Sequence, residues 1–299
     1  MSAFPVSSTA ALSRPFIFAA QPLLKKLGYV PRLAQVTPAS RLDVRPAPEM
    51  VSSGIAALDG LTGGWPRGCL SEICGPASSG RTAVLLAALA KSTQNGEVCA
   101  LVDAGDALDP ASAEAAGVDL EKLLWVRCGK AVASSQFPVL SPCGKQMDRR
   151  NGDGLDIAAE RRGWELRLEQ VLKVTDLLLQ SNGFGMIVLD LGDIPVRNAR
   201  QIPLASWFRF RRAIERTPTV LLVVEQQPIA GSCSSLLVKV AGKKLSAVSC
   251  QHSGNLPTHA ELVDKVEITA ELLRSRLERK PSQSTVSFAS RAKWAGQMS

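Results

Sequence analysis

Eight residues, Gly75-Pro-Ala-Ser-Ser-Gly-Arg-Thr82, have the spacing G-x-x-x-x-G-x-[ST], which serves to cradle phosphate when it follows a strand and opens a helix. The glycines let successive backbone N–H groups turn inward, and the helix N-terminus adds partial positive charge where phosphates would sit. Gly75, Pro76, Ala77, Ser78, Ser79, Gly80, Arg81 and Thr82 are therefore the candidate nucleotide-binding residues. Arg81 stands where the pattern expects lysine, and it replaces a compact ammonium with a planar, bulkier fork. Binding can survive that exchange while hydrolysis falls. Thr82 offers a hydroxyl for magnesium, and Asp190, closing the apolar run Met186-Ile-Val-Leu, offers the carboxylate that holds the ion through water. The expected cofactors are ATP and Mg2+.

These residues need strands and helices to carry them. From Ser52 onward, apolar runs of five or six residues alternate with longer helical patterns, as in parallel strands joined by crossover helices. The strand candidates are Leu70 to Cys74, Val98 to Asp103, Leu123 to Cys128, Met186 to Asp190, Thr219 to Val224, Leu236 to Val240 and Leu245 to Cys250. Helices are expected over Thr82 to Lys91, Glu160 to Gln180 and Leu204 to Arg216; the last puts Trp207, Phe210 and Ile214 on one stripe. The fold class is α/β, with a largely parallel central sheet flanked by helices.

Residues 1–49 are broken by repeated prolines and read as an arm, apart from a possible short helix at Pro22 to Leu27. Residues 50–252 form the expected core. Within it, 129–159 is rich in Gly, Ser, Pro, Asp and Arg, too long for an ordinary connection, and reads as a mobile insertion or functional loop. Residues 253–299 are expected to form a helix from His259 to Lys280, ended by Pro281, and a basic tail.

Apolar residues at 45% and charged residues at 21% exclude a disordered or fibrous chain. The net charge of +8 fits an anionic partner such as nucleic acid, and equally a solubilising surface. The excess concentrates at 197–216, with six arginines against one acid, and at 271–299, with six basic against two acidic residues. Seven cysteines without a CxxC spacing point to reduced thiols rather than a zinc site. No apolar run approaches a membrane span, so the expectation is a cytoplasmic protein without a membrane partner.

The segments Ser53-Gly-Ile-Ala-Ala-Leu-Asp59, Gly63-Gly-Trp-Pro-Arg-Gly68, Gly75 to Thr82, Val102-Asp-Ala-Gly-Asp-Ala-Leu-Asp-Pro110 and Gly117-Val-Asp-Leu-Glu-Lys-Leu-Leu124, in that order, resemble the RecA recombinase family. The resemblance implies a RecA-like P-loop core and a glutamate that activates the attacking water. At the matching position stands Gly105, with Asp106 beside it as a possible substitute. It also implies a phosphate-sensing glutamine at the end of a core strand; in Val223-Val-Glu-Gln-Gln227, Gln226 is the better match and Gln227 the reserve. The loop after it is shorter than a filament-forming recombinase uses to grip single-stranded DNA.

The segment Trp207 to Arg216, with the strand that follows, most resembles shortened RecA homologues of the ImuA type. That resemblance implies an accessory factor in SOS-type damage-induced mutagenesis and translesion synthesis, working beside DNA polymerase-type partners. Such proteins are related in fold to SulA-type cell-division inhibitors, which lack a working phosphate loop. Arg209, Arg211 and Arg212 either face solvent around a core stripe or contact nucleic acid or an acidic partner. Self-association and binding of single-stranded DNA stay open. The competing readings are an active DNA-dependent ATPase and a pure interaction protein.

Overall fold

The computed structural model describes residues 47–128, 152–243, 265–276 and 283–291. The chain divides into two units at Pro46. The first unit, on which the expected arm and the expected Pro22 to Leu27 helix fall, lies outside the described residues, as do 129–151 and the expected strand Leu245 to Cys250.

A two-stranded ribbon pairs β1 (Met50–Val51) with β2 (Trp65–Pro66) around helix α1 (Ala56–Thr62). The main sheet holds β3 (Leu70–Cys74), β4 (Cys99–Asp103), β5 (Leu123–Arg127), β6 (Met186–Asp190), β7 (Val220–Glu225), β8 (Leu236–Lys243), β9 (Lys265–Ser275) and β10 (Thr285–Arg291). Their order across the sheet is β10-β9-β8-β3-β7-β6-β4-β5. The six strands β3 to β8 run parallel, and β9 and β10 add an antiparallel edge. The helices are α2 (Arg81–Gln94), α3 (Pro110–Ala115), α4 (Gly152–Ser181), α5 (Val196–Ala199) and α6 (Leu204–Ile214).

Each central strand reads as a continuous apolar run because both of its faces are covered. Ile73, Leu101, Val188, Leu222 and Val238 point to the face covered by α1 and α2, where they meet Leu58, Leu85 and Leu89. Leu70, Val102, Ile187, Leu189 and Leu221 point to the other face and meet Val171 and Leu178 of α4 and Trp207 and Phe210 of α6. The period of two along each strand assigns alternate residues to the two cores. Trp207 and Phe210 meet edge to face, with ring centroids 5.9 Å apart, so the expected stripe of α6 is core. Strands β6 and β7 lie between β3 and β4. The chain thus crosses over after β3, leaving a crevice at the carboxyl ends of the strands where ligands of such sheets bind.

The C-terminal region differs from the sequence expectation. Lys265–Ser275, inside the expected helix His259 to Lys280, is a strand, and part of the expected basic tail, Thr285–Arg291, is its antiparallel partner. The physical reason is a period of two: Val266, Ile268, Ala270 and Leu272 alternate with Glu267, Thr269 and Glu271, and the first set packs on the core. Helix α4 likewise begins at Gly152, inside the stretch read as an insertion. Ile268 is fully buried. Ile268→Val is therefore expected to cost about 0.5–1.5 kcal/mol in urea unfolding. A change within about 0.5 kcal/mol would instead mark a surface position.

Candidate functional site

The phosphate loop runs from the end of β3 into α2, as its spacing requires. Gly75 anchors it by donating its N–H to the Glu225 carbonyl on β7, at 3.2 Å. The turn uses left-handed backbone at Ser78 (φ 59°) and Gly80 (φ 92°). Gly80 also caps α2, whose first-turn N–H groups have no intrahelical acceptor. The glycines answer to the neighbouring strands as well. A Cβ on Gly75 would lie 2.3 Å from the Val240 carbonyl oxygen, and one on Gly80 would lie 2.4 Å from Ile268 Cδ1. Ser79 is buried within the turn, and its Oγ has no hydrogen-bond partner. Free N–H groups, an unpartnered hydroxyl and a helix N-terminus fit a phosphate group.

The structure brings Arg81, Asp190 and Gln226 together around the Gly192 backbone. Arg81 directs both terminal nitrogens to the Gly192 oxygen at long range, 3.5 and 3.4 Å. Gln226 Nε2 donates to the same oxygen at 3.0 Å and to the Ile194 oxygen at 3.3 Å. Asp190 accepts from the Gly192 N–H at 2.9 Å. Burial pushes the Asp190 carboxyl up to about 6, reinforced by Asp103 and Asp193 and opposed by the Gly192 N–H and Arg81. A half-buried carboxyl of this kind gains from a nearby cation. Thr82 is exposed in the first turn of α2. Gln227, the reserve position, accepts from Arg200 at 2.6 Å instead.

The position of the family glutamate carries no acid and is crowded by an exposed side chain. Buried Asp103 accepts the N–H groups of Gly105, Ala107 and Leu108 and the Trp125 indole N–H, which fixes the turn. A Cβ on Gly105 would meet Asp193 Oδ2 at 2.6 Å and its Cβ at 3.0 Å. Asp106 has φ 57° and pairs with Arg127 through two bonds of 2.6 and 2.8 Å. That hydrogen-bonded pairing holds its carboxyl below the ordinary range. Arg127 belongs to β5, on the side of β4 away from β6 and the phosphate loop.

On α6, Arg209 pairs with Asp176 of α4 at 2.9 Å and lies over the Phe210 ring. Arg211 is half-buried, whereas Arg212 is exposed near exposed Leu204 and Phe208. The three arginines do not form one free patch. Sequence reasoning passed over Gly192 and Asp193, which lie against Arg81 and Gly105, and Glu72 and Glu225, which are buried on adjacent strands. An acid inside an otherwise apolar buried strand was the available signal for the last two.

Residues 39–131 match the RecA N-terminal domain family. The protein RecA of Nostoc punctiforme is 53% identical over 77 residues, 25% of this chain and 21% of that protein. That of Prochlorococcus marinus is 48% identical over 87 residues, 29% and 23% of the respective chains. That of Borrelia hermsii is 48% identical over 80 residues, 26% and 22%. The chain thus spans about a fifth of the length of the curated relatives it matches. The family match takes in the phosphate loop and the 103–109 turn, while Asp190 and Gln226 lie beyond it. Among the described residues, no helix is long and apolar enough to cross a membrane. The described residues thus form a mixed α/β fold with a mostly parallel eight-stranded central sheet, of which the stretch within 39–131 is similar to the RecA N-terminal domain.

Proposed function

We propose that this chain is an ImuA-type accessory of DNA repair in the SOS-type translesion response, binding ATP with Mg2+ and hydrolysing it weakly or not at all. The observation carrying this reading is the contrast within one site: a fitted phosphate turn beside a Gly105 position that carries no acid and is crowded by the Asp193 side chain. The loop's N–H groups and Ser79 would meet the phosphates, Arg81 would move to them from Gly192, and Thr82 and Asp190 would hold the magnesium. Bound Mg2+ would offset phosphate charge, as it does in P-loop proteins generally. Without an activating base, the nucleotide serves assembly rather than turnover.

The exposed Leu204, Phe208 and Arg212 suit a docking contact with a DNA polymerase-type partner. The short segment between β7 and β8 leaves little grip for single-stranded DNA, so any self-association or strand binding is subordinate. Calorimetric titration with magnesium-ATP is expected to find one saturable site, raising stability by about 2.7 kcal/mol at a hundred times the dissociation constant. Phosphate release should stay at background with or without single-stranded DNA. DNA-stimulated turnover at the rate of an intact recombinase would establish an active ATPase instead. No saturable binding would leave a SulA-like protein acting through protein contacts alone.

A further inference from the structure

Glu72 and Glu225 lie outside the nucleotide site and are almost wholly buried, 0% and 1% exposed. They occupy the adjacent parallel strands β3 and β7, where Glu72 pairs with Val223 and Cys74 with Glu225. Both side chains fall on the face of Leu70, Leu221 and Val223. The chain leaving β7 folds back over them. Ile229 donates its N–H to Oε1 of Glu72 at 3.1 Å and to Oε1 of Glu225 at 3.2 Å, and Ala230 donates to Glu72 Oε1 at 2.7 Å. Oε2 of each glutamate is buried without a partner.

Two carboxylates so close and so dry cannot both stay ionised, because each charge repels the other and neither is solvated. One proton resolves both problems: it makes one acid a donor and the other an acceptor. The two N–H groups from Ile229 and Ala230 then stabilise the single remaining negative charge. We infer that Glu72 and Glu225 form a buried binding site for one proton, and that the occupied site holds the segment Gln226 to Cys233 in its closed course over the sheet. Burial first, and then Glu72, raise the Glu225 carboxyl well above the ordinary glutamate range.

Of the charged groups nearby, Arg81 at the head of α2 lowers the Glu225 value. Lys239 on β8 acts with the two glutamates on Cys74 of β3, while Arg211 of α6 and Arg276 beyond β9 act with Glu72 on Cys233. None of these bases is hydrogen-bonded to either carboxyl. The held segment begins with Gln226, whose amide bridges the Gly192 and Ile194 carbonyls. Opening at the acid pair therefore loosens the clasp around Gly192, whether or not a nucleotide binds there.

The contribution to stability has a definite sign. The folded chain binds this proton more tightly than the unfolded chain does. The contribution is thus complete below the ordinary glutamate value and is lost as pH rises through the raised value. The test is amide hydrogen exchange at Ile229 and Ala230 in the full chain, corrected for intrinsic rates, from about pH 5 to about pH 9 in chelator. In the wild type, protection is expected to fall by up to about tenfold per pH unit at the upper end while the neighbouring β6 amides hold. Glu225→Gln supplies a permanent N–H donor in place of the proton and should flatten the profile while keeping protection. A flat wild-type profile, or an unchanged slope in Glu225→Gln, overturns the inference. Recovery of protection at high pH on adding potassium or magnesium would make this a cation site and overturn it as well. If Glu225→Gln does not fold, carboxyl-carbon NMR of the wild type decides. A glutamate titrating well above about 4.3 supports the site, and ordinary titration of every glutamate rejects it.

Discussion

Gly80→Ala is expected to destabilise the protein by about 2–6 kcal/mol, the sum of left-handed backbone strain and overpacking. Thermal unfolding should show it as a Tm lowered by about 5 to 20 °C. Gly80 sits at φ 92° and ψ 11°, where a side chain is strained whatever the space. The space is also absent, since the new methyl would lie 2.4 Å from Ile268 Cδ1 and 2.6 Å from its Cγ1. These two causes separate in a double-mutant cycle. Ile268→Ala removes the colliding atoms at its own cavity cost, so the double variant should lose less than the sum of the singles by about 1–3 kcal/mol. Strict additivity would mean that β9 does not lie against the phosphate turn. Magnesium-ATP should no longer raise the Tm of Gly80→Ala, because the N–H groups that would meet phosphate are those the strain displaces.

That coupling between the phosphate turn and β9 was not legible in the sequence. The strands β3 and β6 were, to the residue, because strands covered on both faces are written as unbroken apolar runs. The helix α6 was legible because its large residues recur at helical spacing. Strand β9 was missed because Glu267, Glu271 and Arg274 also suit a charged helix face, and the alternation of Val266, Ile268, Ala270 and Leu272 is moderate in hydrophobicity. Only pairing with β8 and β10 settles it, and that information is not local.

The candidate site divides along the same line. Gly75, Gly80, Arg81, Thr82, Asp190 and Gln226 could be named as candidates because their chemistry is tied to fixed spacing or to a strand end. The Gly192 carbonyl that gathers Arg81 and Gln226 has no side chain to announce it. Asp193 is an ordinary exposed acid until the fold sets it against Gly105. The pairing of Asp106 with Arg127 requires β5 beside β4, a register that pairs Asp103 with Arg127, 24 residues on. Backbone acceptors and contacts between distant strands are the part of a site that a residue pattern does not carry.

The crowded Gly105 position leads to the second large expectation. Gly105→Glu alone should bring little gain in ATP hydrolysis, because its Cβ crowds the Asp193 side chain and the added carboxylate would stand beside those of Asp193 and Asp190. Arg81→Lys alone should bring less than about a tenfold gain, since a lysine at the phosphate still leaves the water without a base. The triple variant Arg81→Lys, Gly105→Glu, Asp193→Gly provides the ammonium, the base and the room together. Its rate of phosphate release with saturating magnesium-ATP should exceed wild type by about a hundredfold or more, the usual contribution of a positioned general base. Steady-state release and calorimetric affinity measured side by side separate catalysis from binding. If the triple variant binds nucleotide and still releases phosphate at the wild-type rate, the deficit lies in the magnesium pair Thr82 and Asp190 rather than at Gly105. If wild type already hydrolyses at that higher rate, the arginine in the phosphate turn and the missing glutamate are not impairments, and the nucleotide is consumed rather than kept.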